Sequence, residues 1–545
     1  MPDTPSPVLL DSRGSPVPEG QRRAARMRSA AMAMVQGNDR PWQGASVRDQ
    51  ALVNWNPAGV PADPDPYDRQ RINARVRDLI RNSGMASAAV QKNTDMVVGH
   101  AFRLISLPDH AALGISPAEA MKLGRAIEAA FRSWAHDPYR RCDRLRRHNF
   151  AGLINLLYRE RCQTGEEFCI VRDAPRRGWK WRTAIQVIDT DRLSNPNDMP
   201  DTERLRDGIE VDEAGEALAY HVRNTHPLDP VAGLDTFTWT RVPKETSWGR
   251  PIAIHGFESQ RPEQRRGVSP FAAILAPFRM LDRHAESELA NAVANSLFVA
   301  FISSDYNPFQ LAESLGLENP GQEAHDWHDI RKGVYGGLGL KMMGSSIPVL
   351  PPGDEIKLNT SPRRVTEFKD FRASFLQEMA TALSIPFPVL AERWDAVNYS
   401  SARAALEEWW RSVKARRLSF VEQTVNPIFI AWLEEAFAFG HISLPEGAPD
   451  YYDDPAAYTR AVWIGPGRGH IDPKREREAS EIGIRNNLTT LQKEAAQQGD
   501  EWEELLMQRA REEAFMGELG LPRYVPRGAE TEVPDENPDI EPEDA

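Results

Sequence analysis

The chain has 545 residues, 41% of them apolar and 27% charged, with a formal net charge of −13. That length and balance exclude both a single small core and a largely disordered chain, and predict two to four packed units. The acidic surface excludes a protein that clings to phosphate over its whole face, yet it suits a wall past which DNA moves, because every basic contact would add affinity that movement must break.

Residues 1–66 are rich in Pro, Gly and Arg, and Pro61, Pro64 and Pro66 disfavour helix before them, so this stretch reads as a loosely ordered arm. The opening MPDTPSPVLL lacks the basic start and apolar run of a secretory signal. From Tyr67 to Val98, Ile72, Val76, Leu79 and Ile80 recur at helical spacing, and the break at Asn82 to Gly84 predicts two packed helices. Ile127, Phe131 and Trp134 mark a further helix, and Phe150, Leu153, Ile154 and Leu157 another. Between them lies the cluster Arg140, Arg141, Arg144, Arg146 and Arg147, read as salt-bridged surface.

Between Glu166 and Phe257 the period becomes that of strands, predicted at 168–171, 185–188, 208–211, 218–222, 237–242 and 252–255 in one antiparallel sheet. Asp212 to Gly215 reads as the tight turn of a hairpin within it. Ser269-Pro270 reads as a cap followed by proline at the first helical position, opening a long helix to Ile302 that Pro277 kinks or restarts. The uncharged run Leu289 to Ser304 contains Asn291, Asn295 and Ser296 and falls short of the roughly 20 apolar residues that span a bilayer, so no membrane partner is expected.

The glycine-rich stretch 303–360 suggests a small subdomain of strands and turns. Ser361-Pro362 repeats the cap, and Val365, Phe368, Phe371, Phe375, Met379 and Leu383 line one face of a second long helix. Ile385-Pro386-Phe387-Pro388 should end it, leaving a non-helical segment to Tyr399 before Ser400 caps a third helix reaching toward Pro427, within a segment 400–440. Residues 441–525 read as an irregular stretch followed by helices. Residues 526–545 hold eight Asp or Glu and four Pro against Arg527, the composition of a disordered acidic tail.

Catalytic patterns are thin. There is no GxxxxGK[ST], GxSxG or HExxH motif, and Cys142, Cys162 and Cys169 show no metal-ligand spacing, which fits reduced thiols. Asp189 and Asp191, with Glu166 and Glu167 nearby, could hold a metal for a DNA-processing enzyme. The run His325, Asp326, His328 and Asp329 could as well, but structural readings weigh more for both. No cofactor is expected.

Several stretches, in order, resemble the lambda-type family of tailed-bacteriophage portal proteins. They are RVRDLIRNSGMASAAVQKNTDMVVG (75–99), TGEEF (164–168), QVIDTDRL (186–193), GIEVDEAGEALAYHV (208–222), RPEQRRGVSPFAAIL (261–275), NYSSARAALEEWW (398–410) and GHIDPKRE (469–476). The resemblance covers about residues 67–520 and implies an α+β portal-protein fold. In it, 67–265 is an antiparallel-sheet wing, 266–302 and 361–385 are stem helices, 303–360 is the clip, and 386–399 is the tunnel loop. Residues 400–440 form a long wing helix and 441–525 a helical crown.

It further implies a non-enzymatic ring homo-oligomer, usually a dodecamer, at the capsid portal vertex of the virion, assembled in the host cytoplasm. Double-stranded DNA passes through such a ring in packaging and ejection. The terminase large subunit, a head-tail connector and the major capsid protein are its implied partners. Arg393, Trp394, Val397, Asn398 and Tyr399 are the residues expected to face DNA, with Arg393 as the phosphate contact. A dodecamer of this chain would carry roughly −156 before counterions. Two other readings compete: the metal-dependent enzyme, and a non-ring capsid adaptor.

Overall fold

The computed structural model describes residues 66–100, 102–297, 365–394, 397–467 and 472–522, with scattered positions before residue 66. The chain divides into residues 1–62 and 63–545, and every element below belongs to the second unit. Most of the expected arm, the stretch 303–360 with its His and Asp run, Ser361-Pro362 and the acidic tail lie outside the described residues.

The expected first pair of helices is present as α1 (Pro66–Asn82) and α2 (Gly84–Val97). A short strand β1 (Arg103–Ser106) and a one-turn helix α3 (His110–Leu113) follow. Next, α4 (Pro117–Ala135) opens on a capping box between Ser116 and Glu119, with Pro117 at the first helical position. The side chain of Asn149 caps α5 (Phe150–Thr164), and Gly165 ends that helix in the left-handed region at φ 87°. The arginine cluster between α4 and α5 is not the salt-bridged surface expected: among the described residues, Arg141 alone of the five is ion-paired, to Asp137.

The strands are β2 (Glu166–Asp173), β3 (Thr183–Ile188), β4 (Leu205–Arg206), β5 (Ile209–Val211), β6 (Ala217–Arg223), β7 (Trp239–Pro243) and β8 (Ala253–Phe257). They form two antiparallel sheets, ordered β3-β2-β8 and β4-β5-β6-β7, where one was expected. Two 3₁₀ turns, Thr190–Arg192 and Pro196–Asp198, interrupt the chain after β3, and the Leu193 to Val222 bridge joins it to the second sheet. The β5-β6 hairpin turns at Asp212 to Gly215 as read, with the Asp212 N–H donating to the Glu216 carbonyl at 2.9 Å. Phe237 belongs to a 3₁₀ turn, so β7 begins only at Trp239.

Strand β2 is buried on both faces. Phe168 and Ile170 point into a small core with Tyr220 and Val222, while Cys169 and Val171 point into the main core, as a two-residue period requires.

The first stem helix begins later than expected. The Ser269 hydroxyl accepts from the Phe271 N–H, a 3₁₀ turn follows, and α6 runs from Leu275 to Leu297 with Pro277 in its first turn, where a missing N–H costs nothing. At 23 residues, α6 is about 34 Å long. It packs against α7 (Val365–Ala382), with Phe278 and Leu281 in the same core as Leu376, Met379 and Ala380.

Two further expectations fail. Pro386 caps a short helix, α8 (Phe387–Ala391), so the segment before Tyr399 is not wholly non-helical. The next helix, α9 (Tyr399–Phe420), is capped by Asn398 rather than Ser400, and helix continues past Pro427 within the expected 400–440 segment. A widened π-type turn, Val421–Val425, absorbs the proline's missing N–H and bulk, and α10 (Asn426–Ala438) continues.

Helix α10 is apolar nearly all round and fills the main core, where Phe429 and Trp432 meet Phe131, Trp134 and Trp463, and Phe150 packs on Phe131, Trp134 and Trp463 in turn. The chain then forms α11 (Pro455–Tyr458) and β9 (Ala461–Ile464), which pairs antiparallel with β1 across more than 350 residues of sequence. Tyr451, Tyr458 and Trp463 are thereby part of the main core. Helices α12 (Pro473–Arg485), α13 (Leu491–Gln498) and α14 (Trp502–Glu518) follow.

Candidate functional site

Three of the motif stretches meet at one buried point. Glu166, from TGEEF, is fully buried and accepts from the Arg266 guanidinium at 2.6 and 3.0 Å, from the Gly267 N–H at 2.8 Å and from Arg69 at 3.5 Å, with His255 Nε2 at 3.2 Å. Arg266, from RRGVSP, also donates to the carbonyls of Asp207 (2.6 Å), Thr190 (3.2 Å) and Leu193 (3.3 Å), and pairs with the Asp207 carboxylate at 3.0 Å. Arg69 completes the cluster with 2.7 and 3.2 Å bonds to Asp207. Burial by itself would raise the Glu166 carboxyl, but Arg266, His255 and Arg69 hold it well below the usual range.

Backbone packing seals the junction. A Cβ on Gly165 would collide with the Val268 backbone, and one on Gly267 with that of Gly165. With its donors and acceptors matched internally and no water access, this cluster is a clamp that locks α1, the first sheet and the chain entering α6 into one body. A substrate could not reach it.

The carboxylates weighed for metal chemistry behave similarly. Asp189, Asp191 and His226 each bring a ligand atom within 4.8 Å of the others, a spacing that a metal ion could use. Arg77 occupies that position, however. Its guanidinium lies 2.8 Å from Asp189 and 2.9 Å from Glu160 and also bonds Asp191. Burial, with repulsion from Asp189 and Asp191 outweighed only in part by Arg77, pushes the Glu160 carboxyl up to about 7. A fixed side-chain cation already holds these carboxylates, so the site is closed to a metal while Arg77 is in place.

The segment expected to face DNA hangs between α7 and α9 from a braced root. Ser384 (φ 52°) and Glu392 (φ 53°) bracket α8 in the left-handed region, and Leu390 is buried beneath it. From α2, Lys92 Nζ donates to the Val389 carbonyl at 2.6 Å and to Glu392 at 2.8 Å. From α9, Arg416 reaches Asn93 (3.0 Å) and the Leu383 carbonyl (3.3 Å). Arg417 donates to the carbonyls of Val97, Met96 and Pro466 at 2.8, 2.8 and 3.0 Å, and burial pulls its guanidinium down to about 10. Sequence reading missed these anchors, since nothing in a basic helix face marks which arginine caps a distant helix end.

Beyond that root, Arg393 is half-buried, with its N–H on the Pro388 carbonyl at 3.1 Å, and Val397 is half-buried with its N–H on the Trp394 carbonyl at 3.3 Å. The Asn398 side chain is engaged as the α9 cap, accepting from the Ser401 N–H at 2.8 Å. Trp394 and Tyr399 are 46% and 56% exposed, so of the five expected residues these two offer the largest free side-chain surface.

Comparison with known proteins gives a consistent result. The sequence profile of the phage portal proteins of the lambda family matches residues 48–417. The chain is 30% identical over 479 residues to the portal protein of Escherichia phage N15, covering 86% of this chain and 89% of that one. It is also 30% identical over 476 residues to portal protein B of Escherichia phage lambda, covering 86% and 88%. Among solved structures, a chain of the virion of a native gene transfer agent particle aligns with a TM-score of 0.40 at 15% identity, over 87% of this chain and 98% of that one.

Proposed function

This chain belongs to the lambda family of phage portal proteins, and we propose that it assembles into a ring whose central channel carries double-stranded DNA into and out of the capsid. The family is structural rather than enzymatic, and force is supplied by a separate motor. The observation that carries this reading is the family match across two-thirds of the chain, together with long helices α6, α7 and α9 that can pack side by side around an axis. A ring of this kind closes through a heterologous interface, in which one flank of each subunit meets the other flank of its neighbour.

In the proposed arrangement the ring is a dodecamer. The terminase large subunit docks on it during packaging, a head-tail connector replaces the terminase afterwards, and the major capsid protein surrounds the wing. The segment 386–399 reaches the channel, with Trp394 and Tyr399 touching DNA through short-range contacts and Arg393 near phosphate. Such contacts carry little sequence information and little affinity, which is what sliding requires. Deleting residues 392–397 should leave ring assembly intact and impair packaging or genome retention. Particles of the deletion variant with a normal, stably held genome would remove this segment from the mechanism.

A further inference from the structure

The loop between α4 and α5 presents Arg140, Arg144, Arg146 and Arg147, all exposed, and among the described residues none of these four has an ion-pair partner. Its backbone is fixed from inside. Asp143 is buried, and its carboxylate accepts from the N–H groups of Leu145 (2.9 Å), Arg147 (2.7 Å) and His148 (3.0 Å). Arg140 and Arg146 adopt φ values of 56° and 57°, a left-handed geometry that costs an arginine energy. The one acid at hand is thus consumed by backbone groups, and the guanidiniums are turned outward.

Arg176 lies under the loop, donating to the carbonyls of Asp143 and Arg144 at 3.4 and 3.3 Å, with its Nη1 left without a partner. Burial, then the charges of Arg146 and Arg144, lower its pKa. Exposed Tyr139 and Leu145 add apolar surface among the charges. Among the described residues, no carboxylate is ion-paired with any of these four loop guanidiniums.

Nearby arginines already hold acidic residues of the C-terminal helices. On α4, Arg125 and Arg132 lie on one face, seven residues apart, and they bind Glu503 at 3.0 Å and Glu504 at 2.5 Å, while Arg103 on β1 adds a 3.0 Å contact to Glu504. Helix α14, which carries those glutamates, has no buried residue, so charge pairs rather than a packed face hold its start to the body. In the sequence, arginines resume just past the end of α4, in the 139–147 loop. The C-terminal segment likewise continues past α14 into residues 526–545, where eight acids stand against one arginine.

We propose that the 139–147 arginine loop is the docking site of this chain's acidic C-terminal segment, residues 526–545. Val533 and Ile540 supply apolar side chains to set against Tyr139 and Leu145. Reach is not limiting, because the 24 residues after Leu521 span up to about 80 Å. Duplex DNA is the lesser fit on the proposed function, since four unpaired arginines per subunit would brake a sliding polyanion.

The test uses the full-length chain with the eight tail carboxylates converted to amides, titrated with a fluorescent peptide of residues 526–545. Binding is expected at low salt, weakening about tenfold or more between roughly 50 and 300 mM. Arg144→Glu with Arg147→Glu should weaken it by a similar factor or more, and a peptide whose acids are amides, which raises no folding question, should not bind. In otherwise unaltered chain, Leu145→Cys with Ile540→Cys should form a disulfide on mild oxidation, within one chain or between neighbours as gel mobility reports. No peptide binding at low salt, equal binding to the charge-reversed loop, or a short duplex that binds the loop more tightly than the peptide would each overturn the proposal. Ring formation is imaged on the same samples, so a failure of assembly is distinguishable from a failure of docking.

Discussion

Replacing Arg266 with Met should cost the sheet-bearing part of the chain most of its stability. Arg266 is 1% exposed and makes two bonds to Glu166, three to carbonyls and one ion pair to Asp207. The Met side chain fills part of the volume but leaves the buried Glu166 with Arg69, His255 and one N–H. Breaking a buried ion pair from one side costs about 3–5 kcal/mol, and each orphaned carbonyl adds roughly 1 kcal/mol or more. The total, at least about 5 kcal/mol, rivals the whole stability of a typical domain, about 5–15 kcal/mol. Thermal unfolding should show a fall of about 10 °C or more, or loss of soluble protein. Arg265→Met, one residue away on the Asp63 carboxylate at 3.2 Å and partly solvated, is the control and should cost about 1 kcal/mol or less. Equal unfolding of the two variants would refute the reading of this junction as a clamp.

Arg77→Ala should free Asp189, Asp191 and His226 to take Mn²⁺, so that millimolar metal raises the melting temperature of the variant while leaving the parent unchanged; equal responses would mean that Arg77 is not what fills the site. Glu167 is buried against Arg161 and Thr424, and burial raises its carboxyl to about 7. Because its folded pKa lies above the unfolded value near 4.5, the folded state holds the extra proton between those values. Its contribution is therefore full at low pH and is lost as pH rises toward 7, and Glu167→Gln should flatten the fall in melting temperature between about pH 5 and 7.5. The three cysteines are buried and their thiols pushed up, Cys142 and Cys162 to about 12, so a thiol reagent should label none of them until the protein unfolds.

Much of the fold was legible where the signal is local. The period in Phe168 to Val171 and Leu218 to Val222 placed the strands, and Ile127, Phe131 and Trp134 placed α4. What escaped depends on distant partners. Strands β1 and β9 are four residues each and exist because they find one another across the chain. The clamp draws Arg69, Glu166, Asp207 and Arg266 from separate segments, and only folding makes that set visible. Pro388 was misread because proline at the start of a helix and proline that stops one look alike until the preceding turn is known. In the loop, the resemblance placed Trp394 and Tyr399 between two helices, while Asn398 proved to be a cap, a role that its position just before an apolar-periodic run does signal.

The account turns on whether copies of this chain close around a duplex-sized pore. Cryo-electron microscopy of the purified full-length protein measures that directly. It should show closed rings in which α6 and α7 line an axial channel at least about 20 Å wide, the breadth of a double helix with its major groove of roughly 12 Å. Monomers at every concentration, or closed particles without an axial hole, would contradict it.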